Sequence, residues 1–470
     1  MTYGNTLRKA HGLIRQYQVS HNKQNLERGV SLYEQVQRDL DKVLSKMTTL
    51  NLNEISPKLA MMKDLELSIP GTYSIHDEIV KIGSIHPVLT VMPSKQRPRR
   101  TEIIGSDGKT YQFLLKAHED LRLDERVMQV FGLVNTLMKA NPETLKRSLK
   151  ITCYSVTPIS TSSGLIGWVP NCDTLNNYIC NYRDENKVRR DLEQLLIHSL
   201  APKYDRLTLL QKVEIFEKVI ELTSGEDLAR SFWLKSKNSE VWLERRTNFT
   251  RSLALMSMVG YIIGLGDRHP LNLIVNKFSG SVVHIDFGDC FEVAMHRDKF
   301  PEKVPFRLTR MLVKAMEVGC LDGSFKITCE STMKVLREEK DSLMAVLEAF
   351  VYDPLINWRL MTGHSVDAGL SHTPSDESEK LSSTLSLDHH KSLGAGSIPL
   401  EDSEKKNFTD ESLNQKALSV IDRIEKKLTG RDFKKGNAIS VERQVELLIK
   451  EAISIENLCQ SWHGWCPLWV

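Results

Sequence analysis

Apolar residues recur at helical spacing near the start of the chain. Between residues 25 and 50 the apolar positions follow one another every three or four residues, and they are Leu26, Val30, Leu32, Tyr33, Val36, Leu40, Val43, Leu44 and Met47. This period places them on one face of a helix. The sequence therefore predicts one amphipathic helix over residues 25–50, with no earlier helix long enough to cover its apolar face.

From residue 57 to residue 168 the pattern changes to short β-rich runs broken by Gly and Pro. Residues 101–104 and 110–115 are two such runs, and the turn-forming stretch from Gly105 to Gly108 separates them. This arrangement is typical of a β-hairpin. Residues 120–138 then carry apolar positions at helical spacing. A small sheet accompanied by one helix is predicted for this region.

Helical patterns dominate residues 173–350, as in 210–222, 250–263 and 333–351. The exception is a second hairpin, in which residues 273–275 and 282–285 form the strands and Ser279 and Gly280 lie in the turn. A helix-rich lobe therefore follows a strand-rich one, and the predicted fold class is α+β.

Residues 362–410 are rich in Ser, Asp, Glu and His and have little apolar periodicity. Such a segment cannot bury enough surface to offset its ordering entropy, so we predict a disordered insert. Helical pattern returns at residues 413–428 and 441–458, before an aromatic tail at residues 462–469.

Composition narrows the possible functions. The chain has 470 residues, 41% of them hydrophobic, which is enough for two or three domains with a real core. Its net charge is only +3, which gives no electrostatic bias toward nucleic acid, and we read the short basic run at residues 95–100 as a solvated loop. The eight Cys form no C-x-x-C pair, and no apolar stretch resembles a signal peptide or a membrane span. A reducing, intracellular compartment is predicted.

A kinase-like constellation surrounds the second hairpin. A protein kinase catalytic loop reads His-Arg-Asp, with an Asn five positions after the Asp. Here the triplet is reversed, as Asp267, Arg268 and His269, but Asn272 keeps that spacing from Asp267. Asp286 begins an Asp-Phe-Gly triplet just after the second strand, so antiparallel pairing returns Asn272 and Asp286 to the same end. Amide and carboxylate oxygens suit Mg²⁺, which predicts a metal site there.

The first hairpin predicts a phosphate site by the same reasoning. Ser94 precedes one of its strands and Lys116 ends the other, so both are expected at one end of the sheet. A lysine that binds nucleotide phosphates needs a carboxylate to orient it, and Glu119 and Asp124 are the candidates.

These residues together supply what phosphoryl transfer needs, which is positioning and charge neutralisation. We expect Asp267 to accept the proton of the acceptor hydroxyl. His269 is expected to donate a hydrogen bond to the charge that develops on the transferred group.

Several stretches resemble the phosphatidylinositol 3-kinase-related protein kinases and, within that family, its target-of-rapamycin branch. They are SKQRPR, FLLKAHEDLRLDERVMQVFGLVNTL, SGLIGWVP, GYIIGLGDRHPLNL, HIDFGDCFEVAMHRDKFPEKVPFRLTRML and ENLCQSWHGWCPLW. The resemblance implies a two-lobed protein-kinase-like catalytic fold, non-specific Ser/Thr protein kinase activity, and ATP with Mg²⁺ or Mn²⁺. It also implies that Tyr154, Trp168, Val169, Ile274 and Ile285 contribute to the ATP site, around the adenine.

The resemblance further implies a domain order. Residues 1–50 would be a remnant of the rapamycin-binding helical bundle, its last helix. The remaining segments would be the N-lobe at 57–170, the C-lobe at 171–361 with a helical insertion at about 173–222, a Ser-rich regulatory insert at 362–412, a C-lobe helix at 413–437 and a FATC domain at 438–470. The large scaffold that usually precedes the bundle is missing, so we expect a C-terminal fragment or a short form.

Partners are also implied by the resemblance. They are protein substrates, a WD-repeat propeller subunit on the helical insertion and scaffold proteins of target-of-rapamycin complexes, without nucleic acid. Peripheral membrane contact through the C-terminal tail is an open alternative. A cytoplasmic location is expected, with endomembrane association and nuclear entry left open.

Three alternatives remain at this stage. Phosphoinositide kinases share the reversed loop, although the mixed charges after Asp286 favour a protein acceptor. A catalytically inactive scaffold fragment is the second. In the tail, Cys459 and Cys466 could pair as a redox switch and the tryptophans could enter a membrane interface, but free thiols and aromatic residues packed on the protein are expected.

Overall fold

The structure is a computed structural model that describes residues 3–94, 96–297, 299–316, 319, 321–352, 410–433, 437–462 and 465. The chain forms two compact units. The first comprises Met1–Glu119 with Ser162–Trp168, and the second comprises Asp120–Thr161 with Val169–Val470. The first unit is rich in strands and the second in helices, which confirms the predicted α+β class.

The elements up to residue 167 are α1 (Gly4–Ser20), α2 (Lys23–Lys46), β1 (Thr49–Asn51), α3 (Leu52–Ile55), α4 (Pro57–Met61), β2 (Lys63–Ser68), β3 (Lys81–Ile85), β4 (Val88–Val91), β5 (Arg99–Gly105), β6 (Thr110–Ala117), α5 (Arg122–Ala140), α6 (Pro142–Lys146), β7 (Val156–Ser160) and β8 (Ser163–Gly167).

The later elements are β9 (Cys172–Thr174), α7 (Leu175–Glu185), α8 (Leu192–Leu200), α9 (Leu209–Leu222), α10 (Asp227–Leu234), α11 (Ser239–Ile262), β10 (Leu273–Asn276), β11 (Val282–His284), α12 (Arg310–Met316), α13 (Lys326–Glu338), α14 (Lys340–Val351), α15 (Asp410–Thr429), α16 (Val441–Ala452) and α17 (Ile455–Leu458). Single helical turns lie at Tyr204–Arg206, Val293–His296 and Leu321–Phe325.

Helix α1 is the largest departure from prediction in the first unit. The helix predicted over residues 25–50 is α2, which ends at Lys46, and α1 packs against it. The sequence prediction therefore missed an earlier helix, and residues 1–50 hold two helices. The apolar face of α2 is still poorly covered, as predicted, since Val43 and Leu44 are 53% and 50% exposed. The helices approach closely at Gly29, where an added Cβ would lie 2.8 Å from Ile14 Cγ1. Only Ala10 of α1 is fully buried, so its apolar periodicity was too weak to reveal it.

The first hairpin is confirmed. Strands β5 and β6 pair antiparallel from Arg99 opposite Leu115 to Ile104 opposite Thr110. Within the first unit the strand order is β1-β4-β5-β6-β8, and β3 pairs with both β5 and β2. Gly108 has a φ of 75° in the connecting turn, a conformation that glycine adopts without strain.

Helix α5 joins the core of the second unit. Its predicted span of residues 120–138 is shifted only slightly, to Arg122–Ala140. Its buried face, with Val127, Phe131 and Val134, belongs to the large hydrophobic cluster of the second unit. The compact units therefore divide the chain differently from the predicted lobe boundary at residue 170, because this apolar face packs with the helices of the second unit.

The predicted helices of the second unit are present, with altered ends. Helix α11 begins at Ser239 because Asn238 caps it, its Oδ1 accepting the Val241 N–H at 2.9 Å. Its residues from Leu253 to Ile262 are buried without interruption, as expected for a helix surrounded by core. The helices predicted over residues 333–351 and 441–458 are each interrupted, and form α13 with α14 and α16 with α17.

Strand β9 extends the second hairpin into a sheet of order β11-β10-β9. The sequence prediction placed a helical insertion from residue 173, but Cys172–Thr174 pairs with β10, with Thr174 opposite Ile274. A three-residue strand carries too little alternation to be recognised by period. Strand β9 thus hydrogen-bonds to β10, the strand that directly follows residues 267–272.

The turn of the β10–β11 hairpin is fixed on α11. Gly280 has a φ of 77°, and a Cβ there would lie 2.4 Å from the backbone oxygen of Arg245. Asn248 Nδ2 donates to the Ser279 carbonyl at 3.0 Å, and the Val282 N–H donates to Ser252 Oγ at 2.8 Å. Only glycine fits this close approach.

A buried arginine joins three helices of the second unit. The Arg183 side chain of α7 is 2% exposed. Its Nη1 donates to Glu193 Oε2 of α8 at 2.7 Å, and its Nε donates to Asp227 Oδ2 of α10 at 3.0 Å. Two carboxylates thus neutralise one buried cation, as buried charges require. We call Arg183, Glu193 and Asp227 the helix cluster.

The C-terminal tail packs on the protein where the structure describes it. Trp465 is 3% exposed, and the guanidinium of Arg307 lies 4.2 Å from its ring centroid. Trp465 belongs to a small hydrophobic cluster of the second unit, and Trp462 is partly buried against that cluster. Burial raises the pKa of the Cys459 thiol to about 11. For these two tryptophans the packed alternative holds, while Cys466 and Trp469 lie outside the described residues.

Two other predictions concern segments at the limits of the described chain. Residues 362–409 of the predicted insert lie outside the described residues, and residues 410–412 belong to α15 instead of the insert. Among the described helices, none combines the length and apolarity needed to cross a bilayer.

Candidate active site

The β10–β11 hairpin brings Asn272 and Asp286 to the same end. Leu273 pairs with His284, and beyond this pair the Ile285 N–H donates to the Asn272 carbonyl at 3.1 Å. Asn272 is 5% exposed, and its Nδ2 donates to the Asp267 carbonyl at 2.9 Å. This bond uses the amide nitrogen and leaves Oδ1 as the group that can bind a ligand.

Asp267 and Asp286 share an unusual backbone conformation. Their φ angles are 55° and 61°, in the left-handed region that side chains other than glycine rarely adopt. Such residues persist only where neighbouring contacts hold them, and they are common at functional sites. The Asp267 N–H is held by Glu302 Oε2 at 2.9 Å.

Arg268 links the catalytic loop to the Asp-Phe-Gly segment. It is 4% exposed, and its Nε donates to the Gly266 carbonyl at 2.8 Å. Its Nη1 donates to the Ile285 carbonyl at 2.9 Å, and its Nη2 donates to the Asp286 carbonyl. One guanidinium thus spans both segments, which explains why an arginine lies between the aspartate and the histidine.

His269 is a neutral hydrogen-bond donor in this arrangement. The Leu271 N–H donates to His269 Nδ1 at 3.2 Å, so the neutral ring carries its proton on Nε2. Burial lowers the pKa of His269 below its usual range, against the opposing effect of the Asp267 carboxylate. The imidazole can therefore donate through Nε2 at neutral pH without adding a full positive charge.

The first unit contains the predicted lysine site. Lys116 Nζ lies 3.2 Å from Glu119 Oε2, and both side chains are largely shielded from solvent. Glu119 is therefore a carboxylate that orients Lys116. Ser94 lies in the loop that leads from β4 to β5, where its carbonyl accepts the Arg97 N–H at 3.0 Å. Because β5 and β6 are antiparallel, this loop is at the end of the sheet where Lys116 lies.

Asp124 contacts the Asp-Phe-Gly segment. It is 2% exposed, and its Oδ1 accepts the Phe287 N–H at 3.3 Å. The Phe287 ring packs edge-on against Phe131 of α5, with 5.4 Å between centroids. Helix α5 thus fixes the residue after Asp286, a role that the sequence did not indicate. The predicted pairing of Asp124 with Lys116 stays a prediction.

The residues predicted near the adenine occupy different environments. Burial raises the pKa of the Tyr154 hydroxyl well above its usual value, with the Asp124 and Asp286 carboxylates adding to the rise. Tyr154 therefore lies close to Asp286, one of the two predicted metal ligands. Ile274 and Ile285 are half-buried on the same face of the hairpin as Asn272, because residues two apart share a face.

Trp168 belongs to the first unit and Val169 begins the next segment of the second. The Trp168 N–H donates to the Gln112 carbonyl at 2.9 Å, and the guanidinium of Arg100 lies 5.7 Å from its ring centroid. Both residues are half-buried. Their predicted contact with adenine stays a prediction.

Sequence reasoning missed the residues that hold the catalytic loop. Arg268 was passed over between two residues with predicted chemistry, and Glu302 lies 35 positions from the backbone amide that it accepts. The signal for Arg268 was its place within the motif. Glu302 had no local signal, since it belongs to a loop of mixed charges.

Two family profiles match the chain. The profile described as phosphatidylinositol 3- and 4-kinase matches residues 110–360, and the one described as the FATC domain matches residues 438–469. The first covers more than half of the chain and includes Lys116, Asp267, Asn272 and Asp286.

Curated relatives extend this likeness. The chain is 52% identical to a protein of Drosophila melanogaster named serine/threonine-protein kinase mTor, over 99% of the chain and 19% of that protein. It is 51% identical to the serine/threonine-protein kinase tor1 of Schizosaccharomyces pombe, over 100% of the chain and 20% of that protein. The chain thus spans about a fifth of the length of these relatives.

Solved structures agree on the fold. The chain resembles a structure titled "FAT and kinase domain of CtTel1" with a TM-score of 0.64 at 28% identity, covering 86% of this chain and 25% of that one. A structure titled "Structure of the open conformation of CtTel1" gives 0.66 at 26% identity, covering 89% of this chain and 14% of that one. The predicted kinase-like fold is confirmed.

Proposed function

The chain belongs to the phosphatidylinositol 3- and 4-kinase family, and from this premise we propose that it transfers the γ-phosphoryl group of ATP to serine or threonine hydroxyls of proteins. The curated relatives named as serine/threonine-protein kinases support a protein acceptor. As the catalytic segment of a target-of-rapamycin-like kinase, it would act in growth and nutrient signalling.

One observation carries the proposal. The Asn272 amide donates to the carbonyl of Asp267, so one hydrogen bond couples the proposed metal ligand to the proposed base. Asp286 lies at the same end of the hairpin, and Arg268 binds its carbonyl. A polar turn without function would not need these four buried or half-buried polar residues in one place, two of them aspartates in the left-handed conformation.

The donor set fits a divalent cation. The Asn272 Oδ1 and the Asp286 carboxylate are hard oxygen ligands, and Mg²⁺ binds through a few such ligands together with phosphate oxygens and water. We propose that these residues hold Mg²⁺ or Mn²⁺. The ion, when bound, neutralises negative charge on the ATP phosphates.

The protein's own residues then perform the transfer. The Asp267 carboxylate accepts the proton of the acceptor hydroxyl. The oxygen of that hydroxyl bonds to the γ-phosphorus, and the bond between this phosphorus and the bridging oxygen of ADP breaks. His269 Nε2–H donates to a γ-phosphate oxygen and stabilises the charge there. No covalent intermediate with the protein is needed.

The nucleotide would be held chiefly by the first unit. We propose that Lys116, oriented by Glu119, binds ATP phosphates, with Ser94 contributing from its loop. Trp168, Val169, Ile274 and Ile285 would border the adenine. Tyr154 and Asp124 would lie at the floor of the ATP site, where Tyr154 is close to Asp286 and Asp124 binds the Phe287 N–H.

The loop after Asp286 favours a protein acceptor over a phosphoinositide. A lipid headgroup phosphate calls for available basic side chains, yet Arg297 binds Asp289 and Glu302 within this loop. Lys303 Nζ donates to the Met295 carbonyl at 2.9 Å. These two cations are already engaged with acceptors of the loop itself, while Lys299 of the same loop is exposed.

Phosphate transfer from labelled ATP to a Ser/Thr peptide would test the proposal. We expect transfer by the wild type and a loss of at least about a thousandfold in Asp267→Asn, since Asn tolerates the left-handed backbone but cannot accept the proton. Phe278→Ala, at the exposed turn of the same hairpin, is the matched control and should retain activity. Transfer to phosphoinositide vesicles but not to peptides would contradict a protein acceptor, and full activity of Asp267→Asn would contradict the site.

We also propose the partners and location that the family resemblance implies. The segment around α8 and α9 presents exposed apolar side chains, among them Leu200 (46%), Leu209 (48%) and Leu210 (70%), which suit a WD-repeat propeller subunit. Scaffold proteins of target-of-rapamycin complexes and a cytoplasmic location would follow. Co-purification with such a propeller should be abolished by Leu210→Asp and retained in Phe278→Ala, and equal capture by both would contradict this surface.

A further inference from the structure

Glu302 lies against the backbone of the proposed base. Its side chain is 7% exposed, and its Oε2 accepts the Asp267 N–H at 2.9 Å. The Glu302 N–H in turn donates to the Ala294 carbonyl at 3.1 Å, which fixes the position of this residue in the loop after Asp-Phe-Gly. A buried carboxylate thus binds an amide of the residue on which the chemistry depends.

A second contact holds the preceding amide. The Gly266 N–H donates to the Asp289 carbonyl at 2.8 Å. Arg297 connects the two contacts, because its Nη1 lies 3.3 Å from Glu302 Oε1 and its Nη2 binds the Asp289 carboxylate. We call Asp289, Arg297 and Glu302 the loop cluster. It binds two consecutive amides of the catalytic loop, at Gly266 and Asp267.

The backbone at these amides needs such support. Asp267 has a φ of 55°, which is unfavourable for a residue with a Cβ. At Gly266 the chain passes so close to the loop that an added Cβ would lie 2.3 Å from Ala294 Cβ. The direction of the Asp267 carboxylate therefore depends on contacts that Glu302 makes with the main chain.

We propose that Glu302 is a positioning residue for the proposed phosphoryl transfer, holding Asp267 in the left-handed conformation that directs its carboxylate to the acceptor hydroxyl. The proposal rests on the proposed function. Glu302 acts through Asp267 and does not touch the reacting atoms. A displacement of about 1 Å in a reacting group can lower a rate about a hundredfold.

Three variants measure this role in the full chain. Glu302→Ala removes the acceptor of the Asp267 N–H, and kcat for the peptide is expected to fall about a hundredfold while the KM for ATP stays within about twofold. Glu302→Gln keeps an oxygen acceptor and is expected to recover kcat to within about tenfold of wild type. Phe278→Ala, at the exposed turn of the hairpin, should match the wild type.

A double variant separates positioning from general stability. In an Asp267→Asn background, Glu302→Ala is expected to lower the residual rate less than about threefold, because residues that act as a unit are not additive. An ATP-analogue affinity near that of wild type would show that the single variants are folded. An unchanged kcat in Glu302→Ala, a Gln variant as impaired as Ala, or an equal loss in the Asp267→Asn background would each overturn the positioning role.

These outcomes also distinguish the proposed kinase function from the proposed positioning role of Glu302. An active wild type with an unimpaired Glu302→Ala overturns only the role of Glu302. Transfer by the wild type to phosphoinositide vesicles alone overturns the protein acceptor, and the same variants then test Glu302 on that reaction. A wild type that transfers phosphate to neither acceptor overturns both.

Discussion

The helix cluster and the loop cluster both place one arginine between two carboxylates, but in different settings. Arg183 is 2% exposed and joins side chains of three helices. Arg297 is 36% exposed, and through Glu302 its cluster ends on the backbone amide of Asp267. The same ionic chemistry therefore serves packing in one place and, on our proposal, the geometry of the base Asp267 in the other. What a charge cluster does is decided by the atoms at which it ends.

The largest expected effect is on stability, in the helix cluster. Arg183→Met leaves Glu193 and Asp227 buried without their cation, which should lower the free energy of unfolding by about 3–5 kcal/mol. Urea unfolding followed by tryptophan fluorescence would measure it. Activity per folded molecule should change little.

Arg190→Met is the matched control for that variant. Arg190 pairs with Asp184, but its side chain is 64% exposed, so its loss should shift the urea midpoint only slightly. The comparison between clusters would fail if Arg183→Met lost activity while its unfolding stayed unchanged.

The pH dependence of stability should distinguish the loop cluster. Burial raises the pKa of Glu302 to about 7, with Arg297 opposing the rise. Because the folded-state pKa lies above the usual 4.5, the folded protein binds this proton more tightly than the unfolded chain does. Protonated Glu302 therefore adds to the free energy of unfolding at low pH, and this added stability is lost as pH rises through about 7. Between about pH 5 and pH 8, the free energy of unfolding should fall by up to about 3 kcal/mol more in the wild type than in Glu302→Gln.

Urea midpoints at several pH values would test this difference. Parallel pH profiles for the wild type and Glu302→Gln would show that Glu302 is not the titrating group. Glu451→Gln, which removes an exposed carboxylate of α16, provides a comparison outside both clusters.

A smaller effect is expected for Arg297→Ala. Glu302 can take up a proton in place of the lost cation and still accept the Asp267 N–H, so the hydrogen bond to the base persists. We expect kcat to fall about tenfold, since the anchor to Asp289 is lost. The free energy of unfolding should fall by about 1–3 kcal/mol, because the buried Asp289 carboxylate loses this cation while Arg297 itself is 36% exposed. A loss of kcat as large as in Glu302→Ala would show that the arginine, and not the carboxylate, holds the loop.

The smallest effect belongs to an ion pair that is in neither cluster. Glu34 and Arg38 of α2 are 58% and 64% exposed, with 3.9 Å between their charged atoms. Glu34→Gln should change the free energy of unfolding by less than about 0.5 kcal/mol and leave kcat unchanged. A larger change would mean that the exposure of an ion pair does not determine how much that pair contributes to stability.

Local spacing explains what could be foreseen in the site. Asn272 and Asp286 flank a short hairpin, and antiparallel pairing alone brings them together. Lys116 and Glu119 are three residues apart, so their contact was within reach of sequence reasoning as well. Each of these pairs is fixed within one short stretch of chain, either a single hairpin or neighbouring residues.

Long-range contacts explain what could not be foreseen. Glu302 reaches Asp267 across 35 positions, and Asp124 reaches Phe287 across 163. Helix α1 and strand β9 were missed for the opposite reason, because a mostly exposed helix and a three-residue strand leave little apolar pattern. Such elements form because of their tertiary contacts, which a local sequence pattern does not show.

Gly280 has a consequence for how related sequences would vary. It lies at the end of the hairpin opposite Asn272 and Asp286, yet any side chain there would collide with the backbone of Arg245 on α11. Selection for a correctly seated hairpin should therefore keep this glycine nearly invariant. A survey of natural variation would then rank Gly280 beside the proposed catalytic aspartates, although it lies at the other end of the hairpin, and its invariance would record assembly of the fold instead of chemistry.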